Sequence, residues 1–194
     1  MKLLTTANTK IKKGEKMGFM SFGVHLAPEK LSGFNVCKDA SAGCAAACLN
    51  TAGHGIFKTV QEARIKKTQF FFSDKKTFMV QLFKEIEAAV KKAAKNNMTP
   101  CFRLNLTSDL PWEKVKHDGL TVMEKFKDVV FYDYTKSPER MAAFLSGDMP
   151  KNYQLTFSRS ETKTNQALAL AFLKSGGNVA AVFRKSLPET FQGF

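Results

Sequence analysis

The chain has 194 residues, 44% hydrophobic and 24% charged, which suits one soluble domain with a core large enough to need no disulfide staples. No apolar run reaches the length of a membrane helix, and the opening Met1-Lys-Leu-Leu-Thr-Thr lacks the apolar core of a signal peptide, so a cytoplasmic protein with no membrane partner is expected. The net charge of +13 attracts anionic partners, nucleic acid among them, yet only Arg64, Arg103, Arg140, Arg159 and Arg184 of the 30 basic residues carry the guanidinium fork that nucleic-acid readers favour.

In chain order, residues 1–30 read as N-terminal strands. Lys10-Ile-Lys-Lys-Gly precedes the apolar Phe19-Met-Ser-Phe-Gly-Val, with a glycine-containing turn between. Residues 31–58 form a cysteine loop running into a helix. Three of the four cysteines fall here, as Cys37-x6-Cys44-x3-Cys48, among small residues that let the backbone wrap a bulky centre. Cys44 and Cys48 stand at i and i+4, the spacing of one face of a helical turn.

Residues 59–98 are helical. One helix is predicted near 57–71, and a second over 75–96 from Phe78, Leu82, Ile86 and Val90 at four-residue spacing, with Asp74 as its N-cap. From 99 to 194 strands alternate with helices. Strands are predicted at 102–106, 129–132, 153–157 and 179–183, with helices near 113–127, 138–146 and 162–175. The break near Met98-Thr-Pro100 reads as a loop inside a single domain, 1–194. The pattern is α/β: a partial (βα) barrel or an open parallel sheet with outer helices and an N-terminal cysteine-loop metal site. No glycine-rich phosphate fingerprint follows any strand, which argues against a dinucleotide fold.

In such architectures chemistry gathers where strands end. The expected cavity residues are Asn105 and Asp109 after the first of these strands, Asp133 and Lys136 after the second, and Ser158 and Arg159 after the third. The fourth strand ends at Arg184 and Lys185. Several neighbours, including Ser160-Glu161 and Ser137-Pro138-Glu139, double as helix caps. His54 and Lys58 are candidates for a proton relay or anion contact. Cys101, four residues and about 13 Å before Asn105, belongs to the opposite rim and is not expected to be a fourth ligand.

Three clustered cysteines in a reducing compartment favour a metal over disulfides. An all-thiolate loop suits a [4Fe–4S] cluster with one iron open, and zinc completed by His54 is the runner-up.

The segments Leu31–Cys37, Gly43–Gly53, Ala63-Arg64 with Lys67-Thr68, Arg103-Leu-Asn105 with Thr107–Asp109, Phe131–Lys136 and Asn178–Phe183 together resemble the bacteriophage gene product 88 family. His54 stands where such sequences often carry arginine after Ala-Gly, and the chain stops at Phe194 where members tend to continue with an acidic segment. Cysteines after an early strand, then a partial barrel, are more distantly similar to radical S-adenosylmethionine enzymes. Those typically use C-x3-C-x2-C with a glycine-rich motif absent here, so S-adenosylmethionine is not carried over. The expectation is a phage-encoded redox enzyme: Cys37, Cys44 and Cys48 hold the cluster, and its open iron serves small-molecule reduction, proton reduction to hydrogen or cofactor cleavage. The alternative is a nucleic-acid- or host-partner-binding protein with a structural zinc or iron–sulfur site.

Overall fold

The computed structural model describes residues 1–6, 9–183, 185–191 and 193. Its elements in order are β1 (Leu4–Thr5), α1 (Thr9–Lys12), β2 (Phe19–Val24), α2 (Glu29–Ser32), α3 (Ala42–Ala46), α4 (Lys58–Ser73), α5 (Lys75–Lys95) and β3 (Thr99–Arg103). There follow β4 (Lys116–His117), β5 (Leu120–Thr121), α6 (Val122–Lys125), β6 (Val130–Thr135), α7 (Pro138–Leu145), β7 (Tyr153–Ser158), α8 (Lys163–Lys174) and β8 (Asn178–Ala180).

The main sheet has the order β1-β2-β3-β6-β7-β8, with β1 antiparallel to β2 and every other pair parallel. Apart from the β4–β5 hairpin, each new strand is laid beside the last. The result is an open, mostly parallel sheet, not a closed barrel.

Side chains alternate across the sheet, and the alternation decides what each face is for. Register sets Phe22, Phe102, Phe131 and Tyr153 side by side across four strands. Phe102 lies 5.3 Å from Phe22 and 5.5 Å from Phe131, ring centre to ring centre. This row joins Phe71 of α4, Phe78, Met79, Leu82 and Ile86 of α5, and Trp112 in one buried core. Each such side chain contributes about 1.5–3 kcal/mol by leaving water. Met141 of α7 and Ala169 of α8 pack on Phe157 of the same sheet face.

The opposite face carries Ser21, Cys101, Arg103, Tyr132, Tyr134, Gln154, Thr156 and Ser158, of which Tyr134 and Gln154 are exposed. A 3₁₀ turn at Lys13–Met17 covers its β2 end, with Gly14 against Phe19 and Ser21. Toward β6 and β7 this face stays open.

Several boundaries differ from the expectations. The first two strands are joined by α1 and its 3₁₀ turn, not a simple turn. The strand expected at 102–106 begins earlier, because Thr99 donates to the Gly18 carbonyl at 2.8 Å and pairs with Phe19. No long helix fills 113–127. Asp118 and Gly119 take positive φ and turn β4 into β5, and the Thr121–Glu124 capping box delays the helix to 122–125. Cys48 lies beyond the end of α3, as the residue that precedes the 3₁₀ turn Leu49–Thr51, so it does not share a helix face with Cys44. Asp74 does cap α5, accepting from the Thr77 amide at 3.0 Å.

Candidate functional site

The cysteine loop is tied down at points far apart in sequence. Phe34 stacks on Phe72 of α4, with ring centres 4.5 Å apart. The buried Val36 accepts from the Asp109 amide at 2.7 Å. Ser41 caps α3 by accepting from the Cys44 amide at 3.2 Å. Glu161, in the connection after β7, then clamps the same turn: Ser41 Oγ donates to Oε2 and the Gly43 amide to Oε1, both at 2.8 Å. A Cβ at Gly43 would stand 2.8 Å from that carboxylate, so an added methyl would push the carboxylate out of its clamping position. Beyond Cys48, the fully buried Asn50 is held by Arg64 of α4, whose Nη1 donates to its carbonyl at 3.0 Å and to Oδ1 at 3.2 Å.

Cys37, Cys44 and Cys48 are all half-buried free thiols. The Cys37 thiol is pushed up to about 12 by burial, and next by the negative charges of Asp109, Cys44 and Cys48, against a backbone hydrogen bond from Asp109. The charges of Cys44 and Cys48 are thus felt at Cys37, and that of Cys48 at Arg64. Among the described residues, however, no three or more His, Cys, Asp or Glu side chains are gathered as a single metal ion requires. His54 is exposed, its ring edge-on to Phe57. Lys58, the first residue of α4, is exposed too. Cys101 lies on β3 against Ser21, Sγ to Oγ 3.0 Å.

Asn105, Asp109 and Asp133 come together, but in a buried network beneath the loop and not around an open cavity. Asp133 accepts from the Asn105 amide at 2.8 Å, Asn105 Nδ2 at 3.1 Å and the Tyr153 hydroxyl at 3.0 Å. Asn105 Oδ1 accepts from Ser108, the Leu110 amide and the Trp112 indole. Arg140 bonds Asp109, Tyr153 and both carboxylate oxygens of Glu113. Burial pushes Asp133 up to about 7, against the opposing charge of Arg103 and the bond from Asn105. It also raises Asp109, against Arg140. The network therefore positions: it fixes the 105–113 connection, whose Asp109 amide meets Val36.

On the open face, Lys136 donates to Ser158 at 3.2 Å, and the Arg103 guanidinium lies over the Tyr134 ring at 4.5 Å. His25, just past β2, has Nδ1 3.4 Å from the Thr107 hydroxyl. Burial, then Arg64, Lys67 and Arg103, lower its pKa to about 3. Arg159 turns away to the β8 edge. It lies over Phe191 and lines a cavity of about 410 Å³ with Leu170, Leu173 and Phe183, a lining that includes none of the cysteines. Arg184 is outside the described residues.

The sequence pattern of the family described as Gene product 88 matches residues 2–193. The chain belongs to the gene product 88 family. No curated protein and no solved structure matches it. The matched span takes in both the cysteine loop and every strand of the main sheet. No helix among the described residues is long and apolar enough to cross a membrane.

Sequence reasoning passed over several residues that organise this gene product 88 protein: His25, Asn50, Glu113, Arg140 and Tyr153. Arginine scarcity was the available signal. In a chain that uses lysine for its surface, Arg64 and Arg140 are buried and Arg103 and Arg159 half-buried, each where a planar fork or a stacking plane is needed.

Proposed function

We propose that this protein is a phage-encoded iron–sulfur protein whose Cys37, Cys44 and Cys48 hold a [4Fe–4S] cluster, and that it acts as a redox enzyme on a small molecule. What supports the reading is that one loop at the carboxyl ends of the strands carries three free, half-buried thiols, with the charges of Cys44 and Cys48 felt at Cys37. A cubane needs only the three thiolates, whereas a zinc site would call on the exposed His54 as its fourth ligand. The small residues Ala42, Gly43, Ala45 and Ala46 leave room at the loop, and the buried Arg64 places positive charge beside Cys48.

When bound, such a cluster supplies one-electron chemistry at the iron the cysteines leave open. The chain's own residues do the rest. Glu161 and Arg64 hold the two ends of the cysteine turn, and the Asn105–Asp133–Arg140 network fixes the floor beneath it. Ser158, Lys136 and Tyr134 offer donors and a ring face on the open side, where a substrate is oriented. Sequential parallel strands with helices on one face are the arrangement of a barrel segment, so we read this face as the inside of a partial (βα) barrel.

Protein purified without oxygen should be brown and contain iron and sulfide. Iron should be lost in Cys37→Ala, Cys44→Ala and Cys48→Ala but kept in Cys101→Ala. A colourless protein with stoichiometric zinc overturns the reading. The net charge of +13 supports a second one, a nucleic-acid-binding protein with a structural metal site. It requires binding that falls steeply with salt and survives loss of iron.

A further inference from the structure

Arg140, the arginine that braces the fold, is surrounded by Asp109 and Glu113. Arg103 and Arg64 are treated differently. Arg103 ends β3 on the open face with its guanidinium stacked over Tyr134, and its buried Nε has no partner. Asp133 is close enough to feel its charge but lies on the helix-covered side of the sheet. Arg64 is 6% exposed and, among the described residues, its side chain bonds the uncharged oxygens of Asn50 while its Nε has no partner. Both guanidinium groups, with Lys67, act on His25. The hydroxyl neighbours, Thr107, Thr156 and Ser158, are neutral.

A buried guanidinium edge without an acceptor is costly, and a carboxylate or phosphate is the group its fork fits. Stacking on Tyr134 holds the Arg103 plane while leaving its edges available. We propose that Arg103, with Tyr134 as its platform, forms a binding site for the oxyanion group of a small molecule on the open face of the sheet. The site stands whether or not the cysteines hold a cluster. It names the ligand class as a small carboxylate or phosphate compound.

Inorganic phosphate and succinate, titrated calorimetrically into the anoxically purified full chain at low ionic strength, test this. One of the two should bind saturably, and which one does so separates phosphate from carboxylate recognition. Arg103→Gln should weaken that binding by about tenfold or more, and Arg103→Lys should not restore it, because the ammonium lacks the fork. Tyr134→Ala, at an exposed position, should weaken it too and serves if Arg103→Gln does not fold. Lys151→Gln, at an exposed lysine before β7, should leave it unchanged. The Cys37→Ala/Cys44→Ala/Cys48→Ala protein should still bind. Absence of saturable binding by either probe, an equal loss in Lys151→Gln, or binding that needs the cysteines overturns the proposal.

Discussion

Arg140 and Glu113 meet edge to edge: Nε to Oε1 at 2.9 Å and Nη2 to Oε2 at 3.0 Å, with both side chains 5% exposed. The pair joins α7 to the connection after β3. Arg140 also reaches Asp109 and the Tyr153 hydroxyl, so one guanidinium ties the 105–113 connection and β7 to α7.

Removing one partner leaves the other charged and buried. Arg140→Ala and Glu113→Ala should each destabilise the fold by about 3–5 kcal/mol. Arg140→Lys should recover little, since an ammonium cannot meet both oxygens and the tyrosine together. Urea unfolding followed by the fluorescence of Trp112, whose indole bonds Asn105 of the same network, measures the loss. A cost under about 1 kcal/mol would place the pair among surface-type bridges and sink the argument.

Asp133 gives the protein a pH dependence of defined sign. Its folded pKa of about 7 lies above the ordinary carboxyl value of about 4, so folding favours the protonated form. Its contribution is whole below about pH 4 and is eroded as pH rises through 7. Stability of the wild type should fall by something on the order of a few kcal/mol over that window. Asp133→Asn should flatten the fall. Urea midpoints at pH 4.5, 6 and 8 decide it, and parallel curves for the two proteins would refute the assignment.

Asn152 offers a sharper substitution. Its Nδ2 donates to the carbonyls of Met123, Phe126 and Val129 at 3.1, 2.9 and 2.9 Å, closing the turn that leads from α6 into β6. Asn152→Asp keeps the shape but sets a carboxylate against three carbonyl oxygens. It should cost more than Asn152→Ala, which loses about 1–3 kcal/mol by leaving those acceptors unpaired. The reverse ranking, read from the same urea curves, would show that the carbonyls do not depend on this donor.

Gly43→Ala should release the cysteine loop without touching a thiol. The new methyl displaces the Glu161 carboxylate, which holds Ser41 Oγ and the Gly43 amide. Amide exchange over residues 41–46 should accelerate by about tenfold while the core helices α4 and α5 stay protected. Glu161→Ala should reproduce the effect. Unchanged exchange in both would mean the clamp does not restrain the loop.

Much of the frame could be read before any coordinates. The four-residue spacing of Phe78, Leu82 and Ile86 set α5 to within a residue of its ends, and the alternation of strands with helices led to the parallel sheet. The β4–β5 hairpin was hidden by apolar residues spaced loosely enough to pass for a helix, although Asp118-Gly119 is a turn pair. The site was less legible. Asp133 looked like a cavity residue because it follows an apolar run, yet it lies two residues from Phe131 and shares its buried face. Arg140 and Glu113 are 27 residues apart, and no local period announces such a pairing.

The Glu161 clamp has a consequence for how the protein is made. Gly43 and Glu161 are separated by 118 positions. The cysteine turn therefore leaves the ribosome long before the carboxylate that pins it exists. Until β7 and the residues after it have emerged, the cysteine loop is anchored at its two flanks, by Phe72 and Asp109 on one side and Arg64 on the other, while its central turn is not yet clamped. The pinning of the turn that carries Cys44 is thus a late event in biosynthesis, one that waits for a nearly finished chain.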